Sequence, residues 1–556
     1  MNLGSILIED KVLTQEQLEA ANAQCGASDR LDQVLVRLGY CNEMTVLKAL
    51  GKLYHFDVVD LTDATVIVDV DIMKKMPSKL VHRSKLIPLN RENGSIRVAT
   101  RDPFQIYAFD ELRMITGLDV RPVLAKENEI NEVIKRYFGV GGDTVSKLVD
   151  EDDISVVSDV NESSGDLAEM AQDASVVKLV NEILLEAINE RASDVHIEPY
   201  EHDLKIRYRV DGNLRSTNVP PQIRQLQAAI ISRIKILSNL NIAERRLPQD
   251  GSFKIRMHNR EIDLRVSIIP MIHGEGVVMR ILDKQSILLS LEDLGFQGEM
   301  LKTFVHVISQ PHGILLVTGP TGSGKTTTLY ASLRGIVSDE IKVLTVEDPV
   351  EYHLEGINQV NVNNKSGLTF AKGMRAFLRH DPDVIMVGEI RDLETAETAV
   401  QASLTGHFVF STLHTNDAAS ATTRMLDMGV EPFLVASSVE AILAQRLVRT
   451  LCNECKQQYK PDPIDIPPDY PYKNDPVWKA VGCCECRNSG YRGRKGIFEL
   501  LVMTDDIREL VLERASAGKI KNKAVSDGLI LLREDGWNKV HSGMTTIEEV
   551  VRATKG

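Results

Sequence analysis

Apolar residues recur at helical spacing in two stretches near the start of the chain. Residues 2–24 and 30–52 match as two copies of one unit, offset by 28 positions. The matching pairs are Leu3 and Leu31, Ile6 and Val34, Leu7 and Leu35, Ile8 and Val36, Leu18 and Val46, and Ala21 and Ala49. Apolar positions that return every three or four residues mark one face of a helix. The pattern therefore predicts a pair of helical hairpins.

Between about residues 55 and 138 the pattern changes to short strands and helices. A strand is predicted at 95–99 and a closing helix at 130–138, so residues 1–138 are predicted to form one N-terminal domain. The next stretch is acidic and serine-rich and has few large apolar residues. Such a composition buries too little surface to offset the entropy of ordering. We therefore predict a flexible linker at 139–171.

A second α/β pattern follows this linker. A helix is predicted from Ser175 to about Ala192, because its apolar side chains fall on one side. Strands are predicted at 196–199, 204–210, 253–257 and 262–268. Arginines alternate with apolar residues in these strands. Residues 172–285 are thus predicted to form a small α/β domain with arginines projecting from its strands.

The third region, residues 286–556, contains a glycine-rich turn between an apolar run, 314–318, and a predicted helix. Small residues let backbone N–H groups surround a β-phosphate, while Lys325 places a cation on the β and γ oxygens and Thr326 offers a hydroxyl to Mg²⁺. The predicted nucleotide-binding residues are Gly319, Pro320, Thr321, Gly322, Ser323, Gly324, Lys325, Thr326 and Thr327. The chain is predicted to bind a nucleoside triphosphate. The alternative is a turn that only links strand to helix.

Two further apolar runs of this region end in carboxylates. The first reaches Glu347 and the second reaches Glu389. Acids at the carboxyl ends of strands are where an open α/β sheet places its chemistry. The two glutamates are predicted to divide two tasks, holding the water shell of Mg²⁺ and orienting or deprotonating an attacking water. The alternative for each segment is a strand that runs into a solvated turn.

Two histidines, His407 and His414, lie seven positions apart around an apolar run. An imidazole near a γ-phosphate can hydrogen-bond the terminal group and respond to its loss. We therefore treat them as candidate sensors. The alternative is a core histidine whose hydrogen bonds are satisfied within the fold.

Length and composition indicate a multi-domain globular protein. A chain of 556 residues is too long for one core, and 43% hydrophobic with 26% charged residues is typical of soluble proteins. No window offers the roughly 20 apolar residues of a membrane span, and the acidic start does not resemble a secretory signal. A cytoplasmic location is predicted. The formal charge of −14 opposes binding to phosphate backbones, so no direct nucleic-acid partner is expected.

Five of the seven cysteines lie between residues 452 and 486. Cys452 and Cys455 form one short pair, and Cys483 and Cys486 form a second pair, with 27 residues between the two pairs. Two thiolate pairs of this kind can close a tetrahedral zinc site with no position left for a catalytic water. A structural zinc is predicted, with Cys484 as a spectator or a substitute ligand. Disulfides are the alternative, which a reducing cytoplasm opposes.

Taken together, the motifs resemble those of the type II secretion and type IV pilus assembly ATPases. Segments 319–326, 346–351, 379–392 and 404–416 are similar, in order, to the Walker A, aspartate-box, Walker B and histidine-box motifs of that family. Segments 192–198, 209–212, 244–251 and the tetracysteine segment running into 490–494 also fit. The resemblance covers almost the entire chain.

The resemblance implies a hexamer of RecA-like P-loop domains. Each would be preceded by a small α/β (PAS-like) domain and an N-terminal domain with helical repeats, and would carry a zinc module at 450–496. The implied activity is ATP hydrolysis that powers pilus or pseudopilus assembly, with ATP, Mg²⁺ and Zn²⁺ as cofactors. The implied partners are inner-membrane platform and docking proteins.

The resemblance also implies roles for single residues. Lys325 and Thr326 would bind phosphate and Mg²⁺, Glu389 would support the metal and its water, and Glu347 would be the general base. Gly388 replaces the usual aspartate before Glu389, which leaves the division between the two glutamates open. Further candidates for catalysis, at the γ-phosphate, are Arg246, Arg265, Arg280 and His407. The alternative for the arginines is surface ion pairing.

The N-terminal repeats resemble a domain that binds cyclic di-GMP through Arg-Leu-Gly at the start of each copy. Here the copies begin Asn2-Leu3-Gly4 and Arg30-Leu31-Asp32, so one arginine and one glycine are missing. Docking to a membrane-platform protein is therefore favoured over messenger binding. Three other functions remain as alternatives: a pilus retraction motor, a ring ATPase that moves DNA, and a scaffold that only holds ATP.

Overall fold

The computed structural model describes residues 3–10, 12–23, 31–62, 66–92, 94–138, 173–257, 260–283, 289–363, 365–462, 464, 466–473, 475–483 and 485–555. The chain divides into two compact units, Met1–Ile281 and Leu282–Gly556. The predicted linker at 139–171 lies outside the described residues, as does the predicted boundary between residues 285 and 286. Within the described ranges, no helix combines the length and the apolar character that a bilayer crossing requires.

The first unit begins with four short helices that form the two predicted hairpins. They are Leu3–Glu9, Gln15–Ala23, Leu31–Arg37 and Glu43–Tyr54. Equivalent leucines of the two copies, Leu7 and Leu35, are fully buried in one shared core. The internal repeat is therefore confirmed as a structural repeat.

A three-stranded sheet follows, made of β1 (Ile87–Glu92), β2 (Ser95–Thr100) and β3 (Asp119–Leu124) in that order. The helices around it are Val70–Lys75, Ser78–Ser84, Ile106–Thr116 and Glu127–Phe138. The predicted strand and the predicted closing helix of this region are both present, and the helix begins three residues earlier than expected.

The remainder of the first unit is a six-stranded sheet with helices. Its strands are β4 (Ala192–Pro199), β5 (Leu204–Val210), β6 (Asn213–Ser216), β7 (Gln249–Met257), β8 (Arg260–Met271) and β9 (Gly274–Asp283), in the order β6-β5-β4-β9-β8-β7. Helices Ala174–Asn189 and Gln227–Leu237 and a 3₁₀ turn, Pro221–Leu226, accompany it. The first helix ends before the predicted Ala192, because Arg191 turns the chain with φ 55° and β4 begins at the next residue.

The second unit is built on a seven-stranded, mostly parallel sheet. Its strands are β10 (Gly313–Thr318), β11 (Val343–Glu347), β12 (Ile357–Asn361), β13 (Val384–Val387), β14 (Phe408–Leu413), β15 (Val439–Leu451) and, after a small hairpin of β16 (Gln457–Tyr459) and β17 (Val477–Lys479), β18 (Tyr491–Val502). The order is β12-β11-β13-β14-β10-β15-β18, and only β18 pairs antiparallel within this sheet.

Helices cover this sheet on its two sides. They are Leu291–Leu294, Gly298–Ile308, Lys325–Ile336, Phe370–Phe377, Leu393–Leu404, Ala418–Asp427, Pro432–Ser438, Asp505–Leu512, Ala517–Ser526, Leu532–His541 and Ile547–Thr554. Every residue of β10 is buried, as expected for a central strand of a parallel sheet. The carboxyl ends of the parallel strands therefore share one edge, and the predicted motifs can be located along it.

Candidate functional site

The phosphate loop joins β10 to the helix Lys325–Ile336. Gly319 has φ 152° and Gly324 has φ 87°, and a Cβ at Gly319 would lie 2.6 Å from the backbone oxygen of Gln445. A side chain at Gly319 would thus collide with the neighbouring strand, so glycine is required for the tight turn. The turn delivers the amino end of the helix, with its free N–H groups and positive dipole end, to the edge of the sheet.

Lys325 is held inside this loop. Its Nζ donates to the carbonyl oxygens of Gly319, at 2.8 Å, and Pro320, at 3.2 Å. Burial lowers the pKa of Lys325, although the nearby negative charge of Glu389 opposes the shift. Thr326 is exposed at the mouth of the loop, where its hydroxyl can reach a bound metal. The lysine and the helix end together form a site for an anion.

Glu389 lies two residues beyond β13, on the edge of the sheet where β10 ends. Its carboxylate is mostly buried and forms an ion pair with Arg391, and the Nε2 atom of His414 lies 3.4 Å from it. The hydroxyl of Thr412 donates to the carbonyl of Gly388 at 2.8 Å, which fixes the backbone before the glutamate. The structure therefore brings Lys325, Glu389 and His414 to one place.

Glu347, at the end of β11, is buried and surrounded by donors. Oε2 accepts from the hydroxyl of Tyr330 at 2.5 Å, and Oε1 accepts from Thr345 Oγ1 at 2.7 Å and Gln359 Nε2 at 3.1 Å. A carboxylate has about four lone-pair sites, so one on Oε2 stays available to a fourth donor. The three donors fix the orientation of the side chain.

His407 lies elsewhere, and the structure does not support the sensor role predicted for it. β14 is parallel to β10, and His407 precedes Phe408, which is level with Gly313 at the start of β10. Its Nδ1 is 2.9 Å from the carbonyl oxygen of Ala402 and so faces the opposite edge of the sheet from the phosphate loop. A six-residue strand separates the two edges by about 20 Å. Of the two predicted histidines, only His414 is on the nucleotide edge.

A residue that the sequence motifs did not identify, on the neighbouring strand β15, supports the phosphate loop by hydrogen bonds. Gln445, in β15, is buried, donates from Nε2 to the carbonyl of Ser323 at 2.8 Å, and accepts from Thr328 Oγ1 at 2.7 Å. Its neighbour Arg446 also contacts the site. The available signal was the polar pair Gln445 and Arg446 inside the otherwise apolar segment Ala441–Val448, since a buried polar side chain in a central strand needs a partner.

The three predicted catalytic arginines all belong to the first unit. Arg246 is exposed and pairs with Glu244 at 2.9 Å, and its hydrogen bonds hold the pKa of that carboxyl at about 2. Arg280 pairs with Asp194 at 3.0 Å. Arg246 and Arg280 therefore form ion pairs within their own unit, and the role of all three arginines at the phosphates stays a prediction.

The four predicted zinc ligands are close together in the second unit. Their Sγ atoms all lie within 4.8 Å of one another, with 3.8 Å between Cys452 and Cys483, 3.7 Å between Cys455 and Cys486, and 3.7 Å between Cys483 and Cys486. A tetrahedron with Zn–S bonds of about 2.3 Å has S–S edges of about 3.8 Å. The donor set therefore fits zinc. Cys484 and Cys25 lie outside the described residues.

Backbone N–H groups also point at these sulfurs. The amides of Cys483 and Gly490 donate to the sulfur of Cys486 at 3.1 and 3.2 Å, and the amide of Gly482 donates to Cys455 at 3.3 Å. Such donors stabilise thiolates, which is the ligand form that a metal requires.

The chain is similar in sequence to several known proteins. The sequence model of the type II/IV secretion system protein family matches residues 169–552, and that of the MshEN domain matches residues 54–144. The type IV pilus assembly ATPase PilB of Myxococcus xanthus is 44% identical over 564 residues, which is 99% of this chain and 98% of that protein. The type II secretion system protein E of Xanthomonas campestris is 42% identical over 99% of this chain and 97% of its own length. Among solved structures, the pilus retraction motor PilT with bound ADP is 26% identical, with a TM-score of 0.46, covering 67% of this chain and 96% of its own.

Proposed function

Because this chain belongs to the type II/IV secretion system family of ATPases, we propose that it is the cytoplasmic motor that assembles a type IV pilus or the pseudopilus of a type II secretion system. The observation that carries the proposal is the meeting of Lys325, Glu389 and His414 at the carboxyl edge of one parallel sheet. Groups for phosphate binding, metal support and sensing of the terminal phosphate are thereby available at one place in the fold.

In this proposal each residue of the site has a distinct task. Lys325 and the helix amino end hold the β- and γ-phosphates, and Thr326 and Glu389 hold Mg²⁺, which neutralises charge on those oxygens when bound. Glu347 takes the proton of the attacking water through the lone pair that its three donors leave available on Oε2. His414 hydrogen-bonds the terminal phosphate and responds to its loss.

The motor would act as a homo-hexamer. Arg246, Arg265 and Arg280 would stabilise charge at the γ-phosphate, so that binding and loss of phosphate would drive a change of conformation. A ring of such subunits would convert this phosphate-driven conformational change into movement against an inner-membrane platform protein.

The N-terminal domain is proposed to dock the motor to that platform. In the first copy Gly4 lies in a helix packed on Leu18, where a Cβ would come within 2.7 Å of the leucine side chain. Packing therefore accounts for this glycine without a ligand. Asn2 and Arg30 lie outside the described residues. Titration of the full chain with cyclic di-GMP should show no binding at micromolar concentration, and saturable binding would favour the messenger role instead.

The tetracysteine cluster is proposed to hold a structural zinc through Cys452, Cys455, Cys483 and Cys486. When bound, zinc would cross-link the two cysteine pairs. Elemental analysis of protein purified without chelator should give about one zinc per chain. A metal content near zero would overturn this assignment.

Complementation tests the proposed function directly. In a strain that lacks the gene, wild-type protein should restore pili or secretion, whereas Glu389→Ala should restore neither although it accumulates to the same level. Normal assembly with Glu389→Ala would contradict a motor role. Neighbouring genes for a secretin and pseudopilins would assign the chain to secretion, and a neighbouring retraction ATPase would assign it to pili.

The competing function of a DNA-moving ring ATPase predicts a different stimulus. ATPase activity of the purified protein should be unchanged by added duplex DNA, because the overall charge is −14. Severalfold stimulation by DNA would favour translocation instead.

A further inference from the structure

Arg446 lies on the nucleotide edge of the second unit although it belongs to none of the nucleotide motifs. Thr318 of β10 pairs with Ala444 of β15, so the next two residues of β15 are level with the start of the phosphate loop. One guanidinium nitrogen, Nη1, lies 3.2 Å from the position that a Cβ on Gly319 would take. The guanidinium is therefore next to the first glycine of the loop.

The same side chain is fixed by three hydrogen bonds to neutral acceptors. Nη1 donates to the carbonyl of Gln445 at 3.0 Å, and Nη2 donates to the carbonyl of Asn416 at 2.9 Å and to its side-chain oxygen at 3.2 Å. A guanidinium has five N–H donors. These bonds leave Nε–H and one hydrogen on Nη1 for a further acceptor.

The charge of Arg446 has no bonded counter-ion among the residues that the structure describes. Glu499 and Asp417 influence it only at longer range, and burial lowers the pKa of Arg446. Arg446 also lies close enough to Lys325 for its charge to oppose protonation of that lysine. Two fixed cations that lie close together at one edge of the sheet and have unused N–H donors are expected to bind a polyanion, whose negative charge relieves their repulsion.

We propose that Arg446 is a phosphate-binding residue which, with Lys325 of the same chain, holds the β-phosphate side of the nucleotide. The inference rests on the proposed function, since it adds a residue to the same ATP site. It places the contact on the side of the loop that faces β15, next to the first glycine of the loop. ADP and ATP should therefore depend on Arg446 to a similar degree.

The test is a binding series with the full-length protein and fluorescent derivatives of adenosine, AMP, ADP and ATP. Arg446→Gln should weaken ADP and ATP by about tenfold or more, as expected for loss of charge-assisted hydrogen bonds, and leave adenosine unchanged. Arg334→Gln, on the exposed far end of the helix after the loop, is the matched control and should bind like wild type. Equal binding of ADP by wild type and Arg446→Gln would overturn the inference.

Two further variants separate phosphate binding from a structural clamp. Asn416→Ala removes one hydrogen bond to Arg446 but no charge, so ADP should weaken far less than with Arg446→Gln; equal losses would mean a clamp and overturn the proposal. If Arg446→Gln does not fold, ADP binding by Arg446→Lys is measured instead to test the charge contact. ADP affinity within about threefold of wild type supports a charge contact, whereas a folded lysine variant that loses tenfold or more contradicts it.

The wild-type arm keeps this inference distinct from the proposed function. If wild-type protein binds neither ADP nor ATP, the ATPase proposal itself fails. If wild type binds both and Arg446→Gln binds them equally well, only the role of Arg446 is rejected.

Discussion

Tyr330→Phe removes one hydroxyl from the buried partners of Glu347. That hydroxyl is 2.5 Å from Oε2, and the backbone N–H of Glu351 also donates to it, at 3.3 Å. Burial raises the pKa of Tyr330, so the hydroxyl remains a donor at any working pH. Because the acceptor is a buried carboxylate, the lost bond should cost about 1.5–3 kcal/mol.

A loss of that size is measurable as a fall in melting temperature. For a domain of this length each kcal/mol corresponds to roughly 2–4 °C, so Tyr330→Phe should melt roughly 3–12 °C lower. If the three donors position Glu347 for proton transfer, kcat should also fall while KM for ATP changes little. The assays are differential scanning calorimetry and steady-state phosphate release.

Tyr472→Phe is the matched control. Its hydroxyl donates to Asn538 Oδ1 at 2.8 Å in an exposed setting with a neutral acceptor. This change should shift melting by about 1 °C or less, because exposed neutral hydrogen bonds contribute little. A melting temperature and a kcat for Tyr330→Phe that both match wild type would refute the buried donor set around Glu347.

Three other changes probe the second unit. Gln445→Ala leaves the carbonyl of Ser323 unpaired and should lower stability by about 2–3 kcal/mol and raise KM for ATP, whereas unchanged melting and KM would contradict its role as a support of the loop. Burial opposes ionisation of Glu549, but hydrogen bonds from Arg449 and a second arginine outweigh it and hold its pKa at about 2. Because that pKa is depressed, the ionised Glu549 contributes to the free energy of unfolding above the ordinary pKa of glutamate, and this contribution is lost as the pH falls towards 2. The difference in stability between wild type and Glu549→Gln should therefore narrow between pH 5 and 2 in acid titrations. A difference that stays constant would count against the ion pair. Cys486→Ser should abolish zinc retention and lower the melting temperature. A variant that retains zinc and melts at the wild-type temperature would contradict a metal site at this cysteine.

The parts of the site that could be predicted are those fixed by local sequence. The phosphate loop depends on residues 319–326 alone, and its glycines and lysine define it without knowledge of the fold. Glu347 and Glu389 were located correctly at strand ends because parallel strands place their carboxyl ends on one edge. The helical repeat was also local, since each hairpin shows its own apolar face.

The parts that were missed depend on strand order. Gln445 and Arg446 are more than 100 positions from the loop in sequence and reach it only because β15 pairs with β10. His407 was assigned to the phosphates with His414, although a buried strand between two residues puts them at opposite edges of the sheet. Pairing order is a property of the whole sheet and is not encoded near either residue.

Phosphate release from ATP by the purified full-length protein is the most direct test of the central claim. Wild type should turn over, Lys325→Ala and Glu389→Ala should lose at least a hundredfold in kcat/KM, and Lys473→Ala, a change of the same charge on an exposed loop, should match wild type. If Lys325→Ala and Glu389→Ala hydrolyse ATP as fast as wild type, the edge of the sheet described here is not the catalytic site.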